Sequence, residues 1–141
     1  YSVLNRWIEQ DGTINACDEL GIGIVAYGTL GHGLLSGKHS KDAGPVDGGR
    51  ALPQHHRDRT AIDAADRFAE IARTRGQTPV QLALSWVLRR PEITSALVGV
   101  RTLDQLKENL QTLQQSGLSP EEAHAIDQAV TGGLIDRKPS W

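Results

Sequence analysis

The chain is poor in sulfur: its 141 residues include one cysteine, Cys17, and no methionine. A lone cysteine cannot close an internal disulfide or build a metal site by itself, so a reducing compartment suits it, and Cys17 reads as a small buried apolar group. Because the chain begins at Tyr1 and lacks methionine, it is expected to be a piece of something longer. A block of one charge is also missing. Fifteen Lys and Arg stand against seventeen Asp and Glu, without the basic stripe that grips nucleic acid or an anionic membrane. Long apolar runs are absent too. "GIGIVAYG", residues 21–28, is far too short to cross a bilayer, and no charged and apolar leader is visible. These absences set the expectation of a soluble, cytoplasmic protein with neither nucleic acid nor membrane as partner.

What is present alternates between two periods. Hydrophobic content of 38% and charged content of 23% are ordinary for one globular domain. "YSV" reads as the end of a strand, and Trp7, Ile8, Ile14, Ala16, Cys17 and Leu20 give an approximate helical stripe that stops at Gly21. "IGIVAY" is short and apolar, as in parallel strands buried on both faces. Residues 36–59 are rich in glycine, proline and charge and read as a long loop. From Thr60 the helical period returns, with Ile62, Ala65, Phe68, Ala69 and Ala72 on one face and Gly76 as the stop.

Three further helices carry start signals. Thr78, Pro79 and Gln81 form cap, first helical position and capping box for a helix that runs to Arg90 and is apolar nearly all round. "ITSALV", residues 93–98, reads as a second buried strand. Thr102 and Gln105 predict another capping box, with Leu103, Leu106, Leu110 and Leu113 as the buried stripe. Ser119 and Pro120 start a last helix, which fades at Gly132 and Gly133. Strand and helix in alternation predict an α/β fold with parallel strands, a layer or a barrel.

In such folds ligands gather on the loops that follow the strands. Two loops qualify, one after Tyr27 and one after Val98. Both hold glycine, which lets backbone N–H groups approach an anion, and both carry cations: Lys38 and Arg50 in the first, Arg101 in the second. A phosphate-bearing ligand is the expectation. "GHGLLSGKH" does not satisfy the Walker spacing and has His39 where Ser or Thr must bind magnesium. "GTLGHG" is not the Rossmann fingerprint. His55 and His56 beside Asp58 lack a third or fourth metal ligand. Ser36, Ser40 and Asp42 near His39 make no triad, since nothing orients the imidazole. Trp7, Trp86 and Trp141 read as core or tail residues.

The ordered segments "YSVLNR", "GIGIVAYGTLGHGLLSGK", "TPVQLALSWVL" and "ALVGVRTLDQLKEN" resemble the C-terminal half of an aldo-keto reductase, in particular bacterial members similar to potassium-channel β-subunits. The resemblance runs in register over about the first 110 residues, and the last helix fits it as well. It implies that residues 1–141 are the C-terminal part of a single (β/α)₈ TIM barrel, with no second domain. It further implies NADP(H) as cofactor and a small-molecule carbonyl substrate, an aldehyde or ketone reduced to the alcohol. Tyr27 would stack on the nicotinamide. Gly28, Thr29, Leu30, Gly31 and His32 would form the loop beside the pyrophosphate, with Lys38 and Arg50 neutralising its charge. Gly99, Val100, Arg101, Gln105, Glu108 and Asn109 would hold the adenosine end, and Arg101 at the 2′-phosphate or adenine would favour NADPH over NADH. Gln105, Glu108 and Asn109 share one helical face apart from the leucines.

This chain departs from its relatives in two places. It has "YGTL" where they carry Trp or Tyr followed by Ser-Pro-Leu, and Arg101 where serine is common. The family's catalytic tyrosine, aspartate, lysine and histidine belong to the N-terminal half, so no catalytic residue is assigned here and Tyr1 does not take that role. The missing half of the barrel is therefore an expected partner. Alone, the chain would leave strand edges unpaired and a core half exposed. Two functions follow: an NADPH-dependent carbonyl reductase of which this is the cofactor-binding half, or a non-catalytic NADPH-binding regulatory module.

Overall fold

The computed structural model describes residues 1–38 and 59–131. Along the chain lie helix α1 (Thr13–Glu19), strand β1 (Ile24–Ala26), helices α2 (Arg59–Thr74) and α3 (Pro79–Leu88), strand β2 (Ile93–Ala96), and helices α4 (Leu103–Gln111) and α5 (Pro120–Val130). The two strands pair in parallel, Ile24 with Ile93 and Ala26 with Ala96, with a register shift after Ile24. Parallel neighbours need a crossover, and α2 and α3 supply it.

The helix stops are written locally. At the end of α2, Gly76 has φ +72°, its N–H bonds the carbonyl of Arg73 at 3.0 Å, and the N–H of Gln77 bonds that of Ala72 at 2.9 Å. This is a Schellman motif, and the left-handed position explains the glycine. Gly21 and Ile22 close α1 by the same pair of bonds, to Asp18 and Cys17. The starts are equally local. Thr78 Oγ1 accepts from Gln81 N at 3.3 Å and Gln81 Oε1 accepts from Thr78 N at 3.0 Å, with Pro79 next. Ser119 and Glu122 make the same box before α5.

The core is one cluster in which α3 packs on β2, α2 packs on α3, and α5 packs on α2. Trp86, Phe68, Leu82 and Ile126 have no exposed surface, nor do Val3 and Leu4 from the start of the chain. On α2 the buried face is Ala61, Ala64, Ala65, Phe68 and Ala72. Helix α3 is buried at Val80 and from Leu82 to Val87, as its all-round apolar pattern requires.

Four local expectations are corrected. "YSV" is not a strand: Ser2 and Asn5 exchange backbone bonds of 3.0 and 3.1 Å in a tight turn, and the backbone nitrogen of Tyr1 donates to the Tyr27 carbonyl at 2.9 Å. The first helical stripe is split into a 3₁₀ turn, Trp7–Glu9, and α1, because Gly12 at φ +87° breaks the run; Ile8 and Ile14 are buried but Leu20 is exposed. The strands are covered on one face only. Ala26 and Ile93 are buried in the core cluster with α3, whereas Val25 and Leu97 are 61% and 62% exposed. Lastly, the predicted leucine stripe is uncovered: Leu103 of α4 and Leu113 of the 3₁₀ turn after it, Thr112–Gln114, are 65% and 67% exposed, and no residue of α4 is buried.

Candidate functional site

Both strands end on one side of the sheet, and the loops that leave them face each other. After β1 the chain turns at Gly28, whose carbonyl accepts from Gly31 N at 2.9 Å, and coils through the 3₁₀ segment Gly31–Ser36. Three successive residues there have positive φ: Gly31 (55°), His32 (55°) and Gly33 (98°). A histidine seldom adopts this conformation, and such residues concentrate where backbone faces a ligand. The Ser36 hydroxyl donates to the Gly33 carbonyl at 2.6 Å and braces the turn. The two strand ends are tied together by Leu97 N, which donates to the Ala26 carbonyl at 2.7 Å, and by the buried Thr29 hydroxyl, 3.5 Å from the Leu97 carbonyl.

After β2 the chain runs through Val98, Gly99, Val100 and Arg101 into α4. Thr102 caps the helix by accepting from Gln105 N at 3.2 Å. The expected capping box is only half formed. Gln105 Oε1 accepts instead from Arg101 N at 2.8 Å, one residue earlier than a box requires, so the glutamine draws Arg101 against the first turn. Nine residues of helix place their unpaired N–H groups and partial positive charge at this end.

Between the loops lies a groove of about 730 Å³. Its first wall holds Gly28, Thr29, Leu30, His32 and Lys38; its second holds Gly99, Val100, Arg101, Gln105, Glu108 and Asn109. Lys38 and Arg101, from segments far apart in sequence, thus line one cavity. Two predicted residues do not line it. Gly31 is buried, and a Cβ there would meet side-chain carbons of Leu35 and Leu4 at 3.6 and 3.7 Å, so it faces the core. Tyr27 is 60% exposed and lies one residue before the lining begins. Arg50, like His39, Ser40, Asp42, His55, His56, Asp58 and Trp141, is outside the described residues.

Sequence reasoning missed Gly33, Ser36, Val80, Leu97 and Val98, which also line the groove. Gly33 and Ser36 sit inside the first loop already singled out, whereas Leu97 and Val98 belong to the stretch read as strand, whose end opens onto the groove. Val80 gave no signal, since an apolar residue in an apolar helix looks like core until the loops are seen to pack around it. A Cβ added at Gly28, Gly33 or Gly99 would meet nothing within 4 Å. The groove can therefore bring an anion close to bare backbone, with two cations and a helix N-terminus around it. Among the described residues no three His, Cys, Asp or Glu side chains gather as metal ligands, and no helix is long and apolar enough to cross a membrane.

The Aldo/keto reductase family model matches residues 1–131. L-glyceraldehyde 3-phosphate reductase of Escherichia coli (strain K12) is 33% identical over 144 residues, which cover 96% of this chain and 41% of that protein. Protein tas of the same strain is 36% identical over 117 residues, covering 80% of this chain and 33% of its own length. The structure of a glycerol dehydrogenase from Gluconobacter oxydans superimposes with a TM-score of 0.80 at 24% identity, over 100% of this chain and 44% of that one. The fold is thus that of the C-terminal part of a (β/α)₈ barrel. The chain spans less than half the length of each of these relatives.

Proposed function

Because this chain belongs to the aldo/keto reductase family, we propose that it is the cofactor-binding half of a cytoplasmic NADPH-dependent enzyme reducing aldehydes or ketones to alcohols. The observation that carries this reading is the convergence of Lys38 and Arg101 with the α4 N-terminus on a single groove. Bound NADPH supplies the hydride. The chain's own residues bind and orient the dinucleotide. Lys38, with Arg50, neutralises the pyrophosphate beside the open backbone at Gly28 and Gly33. Arg101 pairs with the 2′-phosphate, and Gln105, Glu108 and Asn109 hold the adenosine edges. Tyr27, exposed at the end of β1, offers its ring to the nicotinamide.

The catalytic residues come from the part of the barrel that the relatives possess beyond the matched region, and that part is the partner that covers Val25, Leu97 and the α4 leucines. The protein uses neither nucleic acid nor membrane. A relative named as a reductase supports catalysis over purely regulatory NADPH binding.

The test is cofactor titration of the full-length protein. A charge-assisted hydrogen bond to phosphate contributes about 1.5–3 kcal/mol, so Arg101→Ser should raise the NADPH Kd roughly tenfold to a hundredfold and leave NADH binding nearly unchanged. Equal NADPH affinity in the two proteins would overturn the reading.

A further inference from the structure

Helix α4 carries three residues of the groove wall, Gln105, Glu108 and Asn109, yet none of its own residues is buried. Its leucine face is uncovered, so the distance between this wall and the opposite loop is set on the other side of the helix, where α4 packs on α3 and Thr112, just after it, is buried. The bonds across that contact fix the spacing.

The hydrogen bonds that join α3 to α4 come from one side chain. Gln81 Oε1 is committed to the Thr78 N–H at 3.0 Å, which fixes the orientation of the amide and turns Nε2 toward α4. There Nε2 lies 3.0 Å from Gln111 Oε1 and 3.4 Å from the Glu108 carbonyl. The neighbouring residues of the same turn reach the rest of the groove. Val80 lines it, and the Pro79 ring lies 3.5 Å from where a Cβ at Gly37 would stand, next to Lys38.

We infer that Gln81 is a positioning residue for the dinucleotide site, setting the separation of the groove walls through its amide bridge from the α3 cap to Glu108 and Gln111 of α4. Gln81 does not line the cavity and acts through α4. The inference rests on the reading of the groove as a dinucleotide site.

The two halves of the side chain can be separated. Gln81→Glu keeps the acceptor that closes the capping box, and a carboxylate at a helix start is at least as good there. It loses the donor and sets a negative charge against two oxygens of α4. In the full-length protein, Gln81→Glu should raise the NADPH Kd roughly tenfold, with the melting temperature unchanged or higher. Amide hydrogen exchange over residues 105–111 should quicken even without cofactor. Adding Gln111→Lys restores a donor and should recover both readouts. Ser119→Ala, which removes the cap of α5 away from the groove, should lower the melting temperature and leave the NADPH Kd alone.

Wild-type exchange in α4 together with wild-type NADPH affinity in Gln81→Glu would overturn the inference. Faster α4 exchange in a protein whose wild type binds no NADPH would overturn the dinucleotide reading of the groove and leave the bridge standing.

Discussion

Two guanidinium groups lie over the Trp86 indole, with Arg89 Cζ 3.6 Å and Arg6 Cζ 4.4 Å from its ring centroids, and the Tyr1 ring packs beside it at 5.2 Å. The charges are neutralised at the rim of this stack. The Tyr1 hydroxyl donates to Glu9, Arg89 donates to Glu9 Oε1 at 2.9 Å and to the Tyr1 hydroxyl at 3.0 Å, and Arg6 pairs with Asp127 at 2.6 Å. Burial and the bond to a carboxylate push the Tyr1 phenol up to about 12. For Glu9, burial acts to raise the carboxyl, but the bonds from Tyr1 and Arg89 and the charges of Arg89 and Arg6 outweigh it and hold the group below 4.5. A depressed folded value means that the unfolded chain takes up the proton first. The stabilisation is thus complete above the unfolded value and is lost as pH falls below about 4.5 through the folded one. Melting temperatures of the full-length protein between about pH 6 and pH 3 should fall more steeply for wild type than for Glu9→Gln. Parallel slopes would show that Glu9 is not linked to folding.

Helices α3 and α4 start with the same Thr-to-Gln signal and are held in different ways. Seven residues of α3 are buried, so its cap adds to a helix already fastened by packing. On α4 no residue is buried, and its first turn depends on Thr102 and on the Gln105 bond to Arg101 N. Losing a threonine cap costs about 1 kcal/mol in either place. Its local consequence differs. Thr102→Ala should speed amide exchange in the first turn of α4 much more than Thr78→Ala does in α3. Equal acceleration would mean that α4 is fastened by contacts of the same strength. Both caps were legible because Thr or Ser before a helical stripe satisfies donors within a few residues. The shift of Gln105 to Arg101 was not, since a side chain that can reach two adjacent N–H groups is directed by the path of the preceding loop.

At the scale of the molecule, the apolar surface is laid out in two regions. One is closed between α2, α3 and α5. The other is open, with Val25 on β1, Leu97 just past β2 and the leucines of α4. Exposed apolar side chains in this number on a lone chain drive association. A polypeptide of residues 1–141 should sediment as dimers or larger species, and changing Leu103, Leu106 and Leu110 together to Gln should shift it toward monomer. A sharp monomer peak with cooperative melting in the unmodified polypeptide would contradict this.

The amino-acid order determined what contacts of a few residues can encode: the caps at Thr78, Thr102 and Ser119, the stops at Gly21 and Gly76, the parallel alternation, and the two loops with glycine and cationic side chains. Only the tertiary structure decided which groups of those loops face one another. Gly31 turned into the core while Gly33, two residues on, lines the groove, Val80 became wall as well as core, and of the predicted buried faces one face of the strand pair and the leucine face of α4 stayed open. The physical reason is range. A cap or a stop is satisfied within one turn of backbone, whereas burial depends on the partners that the rest of the fold brings to each face.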